Sequence, residues 1–104
     1  MGDLVARKTG SNDVVTTGHC CQGSTYTDQG STDVIISGYG VVRKDDLDAS
    51  HLLCTEPCGP SHQVAMSASM STSVKANGKF IAMEGSKYGT EEITGVTQST
   101  VFAT

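Results

Sequence analysis

The sequence predicts an all-β fold built of short strands and hairpins, and three observations lead to this prediction. Glycine, serine and threonine supply 37 of the 104 residues, a composition that favours short strands and many turns. A strand–turn–strand pattern occurs twice, forty residues apart. The one amphipathic candidate for a helix, residues 64–70, alternates with a period of two instead of repeating every 3.6 residues.

The N-terminal part of the chain contains two short strand candidates. The first covers residues 2–8 and is followed by turn-forming residues over 9–13. The second covers residues 14–17 and leads directly into a loop that contains His19, Cys20 and Cys21.

The repeated unit consists of a strand, a tight turn, a second strand and a further turn. It covers residues 31–46 and again residues 71–86. In the second copy Asn77-Gly78 is a strong hairpin signal, because both central positions of that turn adopt positive φ. We therefore expect two hairpins of the same kind.

The two ends of the chain contain the halves of a third copy. Residues 5–8 resemble residues 41–44, the second strand of the unit, and residues 99–103 resemble its first strand with one residue dropped. The chain therefore reads as three units, permuted so that it begins with a second strand and ends with a first. Three such units around an axis would bury each other's faces.

Composition and charge limit the classes of function. The net charge is −4 and the isoelectric point is near 5.1, which argues against nucleic acid as a partner, since phosphate binding needs a basic face. The N-terminus lacks the pattern of an export signal, and no apolar run is long enough to span a membrane. We expect a single domain over residues 1–104, made in a reducing compartment where cysteines serve as metal ligands or buried thiols. Disulfides remain an alternative if the protein ends its life outside the cell.

The strongest site signal is the segment 51–62, which contains two of the three histidines and two of the four cysteines. Imidazole and thiolate groups on irregular loops suit a tetrahedral zinc-type site. The simplest ligand set is three histidines and one cysteine, and Cys58 is favoured as the sulfur because a turn places it beside one of the histidines. The predicted metal ligands are His19, His51, Cys58 and His62.

Several alternatives to this site remain open. Cys54 or Cys20 can supply the sulfur in place of Cys58, although the vicinal pair Cys20-Cys21 cannot both ligate one tetrahedral ion without strain. The histidines can also be ordinary surface residues beside a buried patch at residues 52–54. A thiol or zinc enzyme would use one of the flanking carboxylates as a general base. The flanking carboxylates are Asp45, Asp46, Asp48 and Glu56. No common catalytic motif is present, so we expect no enzymatic activity.

The pattern of these residues resembles the PAAR-repeat proteins over residues 4–104. The steps at residues 5–7 and 41–43 stand where that family has Ala-Ala-Arg, and residues 81–83 form a degenerate third. Gly18-His19 resembles the family's Gly-His, His51 its middle-loop histidine, and Cys58 with His62 its closing pair. The Gly-Asp that follows each Arg in the family is replaced here, and Cys20, Cys21 and Cys54 are surplus.

The resemblance implies a small cone with pseudo-threefold symmetry and one zinc or iron ion near its apex. Such proteins cap a trimeric β-helical spike protein in contractile phage tails and type VI secretion systems, and sharpen it for penetration of the target envelope. The expected location is the phage tail tip or the exported spike tip, with transient contact to the target membrane. An associated effector that binds non-covalently is a further expected partner, and the end of the chain at Thr104 favours a tip without a fused toxin. The rival reading is a zinc-stabilised β module that binds a peptide or a glycan.

Overall fold

A computed structural model describes residues 2–8, 13–53 and 58–104. It confirms the all-β prediction, because the described residues contain twelve short strands and no helix. The strands are β1 (Asp3–Leu4), β2 (Val14–Thr16), β3 (Ser24–Tyr26), β4 (Ile35–Ile36), β5 (Tyr39–Gly40), β6 (His51–Leu52), β7 (Ser61–His62), β8 (Lys75–Ala76), β9 (Lys79–Phe80), β10 (Lys87–Tyr88), β11 (Glu91–Gly95) and β12 (Phe102–Ala103).

The molecule is elongated, measuring 41 Å along its longest axis and 24 Å along the other two. Within the described ranges there is no helix of the length and hydropathy needed to cross a membrane. The turn predicted over residues 9–12, together with Cys54 and Glu56, lies outside the described residues.

Three two-stranded hairpins repeat along the chain as the sequence predicts. β4 pairs with β5 around Ser37-Gly38, and β8 pairs with β9 around Asn77-Gly78. All four turn residues have positive φ, at 48° and 89° in the first turn and 53° and 79° in the second. The third pair has no connecting turn, because it is formed by the two ends of the chain: β1 pairs with β12. We count it with the two hairpins. This pairing is the one expected if the chain begins with the second strand of a unit and ends with the first.

A polar side chain binds the backbone before the first strand of each hairpin. Ser31 Oγ accepts hydrogen bonds from two backbone N–H groups that follow it, at 3.1 and 2.8 Å, and Ser71 Oγ does the same at 3.2 and 2.9 Å. In the third unit the acceptor is the side-chain oxygen of Gln98, at 2.9 and 2.8 Å. Gln98 therefore stands where the other units have Ser. The prediction that the last strand lacks one residue is wrong, because the spacing is the same when Gln98 is counted.

The three segments that follow the hairpins are residues 5–7, 41–43 and 81–83, and we call them the central segments. They are linked in a closed cycle of backbone hydrogen bonds. Ala6 N–H donates to the Ala82 carbonyl at 3.0 Å, Ala82 N–H donates to Val42 at 2.8 Å, and Val42 N–H donates to Ala6 at 3.0 Å. All three residues are fully buried. Each of these three central segments is thus held by the other two, and a small side chain at the centre lets the backbones approach closely.

Alternate residues of the central segments contribute to two separate hydrophobic clusters. The first cluster consists of Ala6, Val15, Val42, Met66, Ala82, Tyr88 and Ile93. The second consists of Val5, Val41, Ala76, Ile81, Met83 and Ala103, and it includes residues of the three hairpins. Because neighbouring residues in an extended segment point to opposite sides, the central segments separate the hairpins from the rest of the fold.

The part of the fold beyond the central segments consists of a second set of strands. A four-stranded antiparallel sheet has the order β10-β11-β2-β3, and β6 pairs separately with β7. Isolated bridges connect Thr27 to Asp48 and residue 68 to residue 87, which joins the two sheets into one body. The candidate site consists of residues of β6, β7 and β11 and of the loop between β2 and β3.

Candidate metal centre

His19 lies in the loop that connects β2 and β3. The loop is closed at its base by a hydrogen bond from Thr17 N–H to the Gly23 carbonyl at 2.9 Å. Gly18 has a φ of 77°, which a glycine adopts without strain, and the His19 N–H donates to Thr17 Oγ1 at 3.1 Å. These contacts turn the chain so that the His19 ring faces the interior of the strand set.

His51 and His62 lie directly opposite each other on paired strands. The β6–β7 register places His51 against His62, and their ring centroids are 4.4 Å apart. Because opposed residues in an antiparallel pair project to the same face, the pairing alone brings the two imidazoles together. The side chain of His51 is fully buried, whereas that of His62 is 29% exposed.

Glu91 is the fourth member of the group and was not identified from the sequence. It is the first residue of β11, immediately after the turn at Gly89 and Thr90. The ligands predicted from the sequence all lie before residue 71, in the segments that follow residues 5–8 and residues 31–46. The segment that follows residues 71–86 is the third of these strand sets. The third set supplies Glu91, whose side chain is 2% exposed. A carboxylate two residues after Gly89, as His19 follows closely on Gly18, is the sequence signal that could have revealed it.

The four side chains converge on one point. Oε2 of Glu91 lies 2.8 Å from Nε2 of His19, 2.9 Å from Nε2 of His51 and 3.2 Å from Nε2 of His62. The Nε2 atoms of His51 and His62 are themselves 2.8 Å apart. All four ligand atoms lie within 4.8 Å of one another, so this group can hold a metal ion.

Hydrogen bonding around His51 tests whether the group suits a cation. Nδ1 of His51 lies 2.8 Å from the Ala49 carbonyl oxygen, which is an acceptor, so Nδ1 carries a proton. In the neutral ring Nε2 then presents a lone pair, and it faces the carboxylate oxygen of Glu91. Two acceptors at this distance require either a second proton on the ring or a cation between them. The Nδ1 contact to a backbone carbonyl is also the usual way in which a metal-binding histidine is oriented.

The interatomic distances agree approximately with the size of a zinc ion. Ligand atoms around tetrahedral zinc lie roughly 3.3 Å apart, because Zn–N bonds are about 2.0–2.1 Å long. Four of the six separations in the group are 2.8, 2.8, 2.9 and 3.2 Å, so these pairs must move apart by up to about half an ångström to hold the ion. Three imidazole nitrogens and one carboxylate oxygen form a donor set that suits zinc and iron(II).

A second carboxyl group, Asp48, lies behind the site and is fully buried. Its Oδ1 accepts a hydrogen bond from the Val64 N–H at 2.8 Å and lies 3.9 Å from Nδ1 of His51. Apart from the interaction between these two carboxyl groups, Oδ2 of Asp48 and Oε1 of Glu91 have no hydrogen-bond partner among the described residues. Burial and a shared proton with Glu91 raise the pKa of Asp48 to about 7.

The ionisation of Glu91 and His51 follows from the same contacts. Burial opposes the charged form of both groups. For Glu91, hydrogen bonds from Asp48, His51 and His19 outweigh burial and lower the pKa below its ordinary value. For His51, the Ala49 carbonyl and Glu91 outweigh burial and raise the pKa. The site therefore favours an anionic carboxylate surrounded by groups that attract it.

The predicted sulfur ligand is not part of the group. Cys58 forms a disulfide with Cys21, so its sulfur carries no thiolate charge with which to bind an ion. The Cys58 assignment is therefore corrected, and Glu91 takes the fourth place in the group. Cys20 is disulfide-bonded as well, and no free cysteine occurs among the described residues. The expectation of metal-bound or buried thiols is replaced by covalent cross-links between the loops.

No protein-family model, no curated protein and no solved structure matches this chain. The candidate function therefore rests on the fold and on the geometry of the His19, His51, His62 and Glu91 group.

Proposed function

We propose that this protein is the tip of a contractile injection machine, where it caps a trimeric β-helical spike protein and sharpens it for penetration of the target envelope. Its role is mechanical, and it catalyses no reaction. The observation that carries the proposal is the closed cycle of three central segments, each preceded by a hairpin and followed by the strands that bear the metal-binding side chains.

Three valines at the same place in the three units support a threefold partner. Val34, Val74 and Val101 each follow the capping residue of their unit by three positions, and they are 39%, 40% and 36% exposed. Their neighbours Ile35 and Phe102 are exposed by 49% and 56%. We name these five residues the docking face. We propose that these three valines surround one axis, an arrangement that would let a single chain contact three identical partner chains.

The metal-binding group would stabilise the opposite end. The central segments separate the docking face from the strands that carry His19, His51, His62 and Glu91. We propose that one zinc ion, or an iron ion, binds this group and joins loops that contain few large apolar side chains. A metal cross-link would then substitute for a hydrophobic core in this part of the protein.

The disulfides support a location outside the reducing cytoplasm, as at the tip of a virion tail or an exported spike. Contact with the target membrane would be transient, and an effector bound non-covalently is a further proposed partner.

The test is stoichiometric binding to a trimeric β-helical spike encoded in the same genome. Light scattering after size-exclusion chromatography should detect three spike chains with one copy of this protein. Val34→Asp, Val74→Asp and Val101→Asp should each weaken binding by about tenfold or more, because each buries a charge in the contact. Leu52→Asp is the matched control, since Leu52 is 37% exposed but lies on the strand that carries His51. Equal loss of binding in the control, or a complex with another ratio of chains, would contradict the proposal.

A further inference from the structure

The four side chains of the metal-binding group differ in their access to solvent. The side chains of His51 and Glu91 are 0% and 2% exposed, whereas those of His19 and His62 are 21% and 29% exposed. A chelator that removes an ion from the group must therefore approach past His19 and His62. The rate of removal depends on how readily these two side chains move apart.

The Cys21–Cys58 disulfide joins the two loops that carry these exposed histidines. Cys21 follows His19 by two residues, and Cys58 precedes His62 by four. The bond links positions 37 residues apart in sequence. With the bond intact, movement of the His19 loop away from His62 is restrained by a covalent connection close to both.

The disulfide itself is accessible to a reductant. Cys58 is exposed and Cys21 is half-buried. Reduction adds two electrons and two protons, so that the S–S bond is replaced by two thiols, while the reductant is oxidised. The covalent restraint can therefore be removed without unfolding the protein first.

We propose that the Cys21–Cys58 disulfide controls retention of the metal ion. In the disulfide form His19 and His62 are held together over the ion, and exchange with solvent is slow. In the dithiol form the two loops separate and the ion is released rapidly. This inference rests on the metal binding in the proposed function and adds its redox control.

The experiment uses the folded protein loaded with zinc and freed of excess metal. Excess EDTA is added, and transfer of zinc is followed with and without the phosphine reductant TCEP. In the disulfide form we expect the release half-time to be at least about ten times longer than after reduction, as expected when ligands tethered by a covalent link rebind the ion at high effective concentration. Circular dichroism recorded in parallel establishes that the reduced protein stays folded.

The double variant Cys21→Ser/Cys58→Ser isolates this bond from the disulfide of Cys20, which TCEP also reduces. Zinc should leave the double variant rapidly whether or not TCEP is present. If the double variant does not fold, Cys20→Ser serves in its place, because TCEP then acts on Cys21–Cys58 without the disulfide of Cys20. TCEP should still accelerate zinc release from Cys20→Ser, and an unchanged rate would overturn the inference.

Each outcome has a distinct meaning. Equal release rates with and without TCEP would overturn the inference while leaving metal binding intact. Slow release from a folded double variant without TCEP would also overturn it, because the restraint would then come from the other disulfide. Failure of the natural chain to take up zinc would overturn both the inference and the proposed metal site.

Discussion

Replacing Glu91 by Gln tests the metal centre most directly. The substitution preserves the size of the side chain but removes the anionic oxygen that lies 2.8–3.2 Å from the three histidine nitrogens. Loss of a residue that only supports a ligand typically lowers metal affinity 10–100-fold, so loss of a direct ligand should lower it by about 100-fold or more. The amide is neutral and a much weaker ligand for zinc, which is the physical reason for the loss.

The effect on stability follows from linkage between binding and folding. Zinc at one hundred times its dissociation constant stabilises a protein by about 2.7 kcal/mol, and a 100-fold weaker site at the same zinc concentration gains only about 0.4 kcal/mol. For a domain of this size about 1 kcal/mol corresponds to 4–8 °C in Tm. Zinc should therefore raise the Tm of the natural chain by about 10–20 °C and that of Glu91→Gln by about 2–3 °C.

The assay is thermal unfolding followed by circular dichroism, with and without zinc, under non-reducing conditions. Glu92→Gln is the matched control, because Glu92 is the next residue of β11 and is not part of the group. It should show the full zinc response of the natural chain. A full response in Glu91→Gln would refute the assignment of Glu91 as a ligand, and no zinc response in the natural chain would refute the metal centre itself.

Three further predictions concern single buried residues. Asp48→Asn should stabilise the metal-free protein at pH 8 by about 1–3 kcal/mol, because the folded pKa of Asp48 is raised to about 7. Protonated Asp48 therefore stabilises the folded protein fully only below the pKa that Asp48 has in the unfolded chain. This stabilisation is lost as the pH rises to 7 and above. Urea unfolding should show this difference shrinking towards pH 4, and a constant difference across pH 4–8 would contradict it. Asp13→Ala should cost about 2–4 kcal/mol, since Asp13 accepts hydrogen bonds from Arg7 N–H at 2.8 Å and from Thr97 N–H at 3.0 Å; a Tm within 3 °C of the natural value would contradict this. Met66→Ala should cost about 2–5 kcal/mol in urea unfolding because Met66 is fully buried, and Met66→Leu should recover most of the loss.

The hairpins could be predicted from the sequence because their determinants are local. Asn77-Gly78 requires positive φ at adjacent residues, and the structure has a two-residue turn there. The position of Gln98 could not be predicted in the same way. Its amide oxygen accepts the two backbone hydrogen bonds that the hydroxyl oxygens of Ser31 and Ser71 accept in the other units. A comparison of residue types does not match Gln with Ser, so the sequence alone does not reveal this correspondence.

The candidate site was predicted in part. All three histidines were identified because each lies close to cysteine in an irregular loop, and the structure brings their Nε2 atoms together. Glu91 was missed because carboxylates after turns are common on protein surfaces, and only the fold shows that this one is buried. Cys58 was assigned from its proximity to His62 along the chain, whereas the direction of its side chain is set by Cys21, 37 residues away.

The pairing of β1 with β12 has a consequence for how this protein can be joined to others. Asp3 lies opposite Ala103, so both termini leave the molecule at neighbouring points beside the hairpins. A domain fused to either end would therefore be attached at the same region of the surface, beside the β1–β12 pair. Because Asp3 and Ala103 are adjacent, we expect a circular permutant with the ends linked and the chain opened between Ser37 and Gly38 to retain the fold.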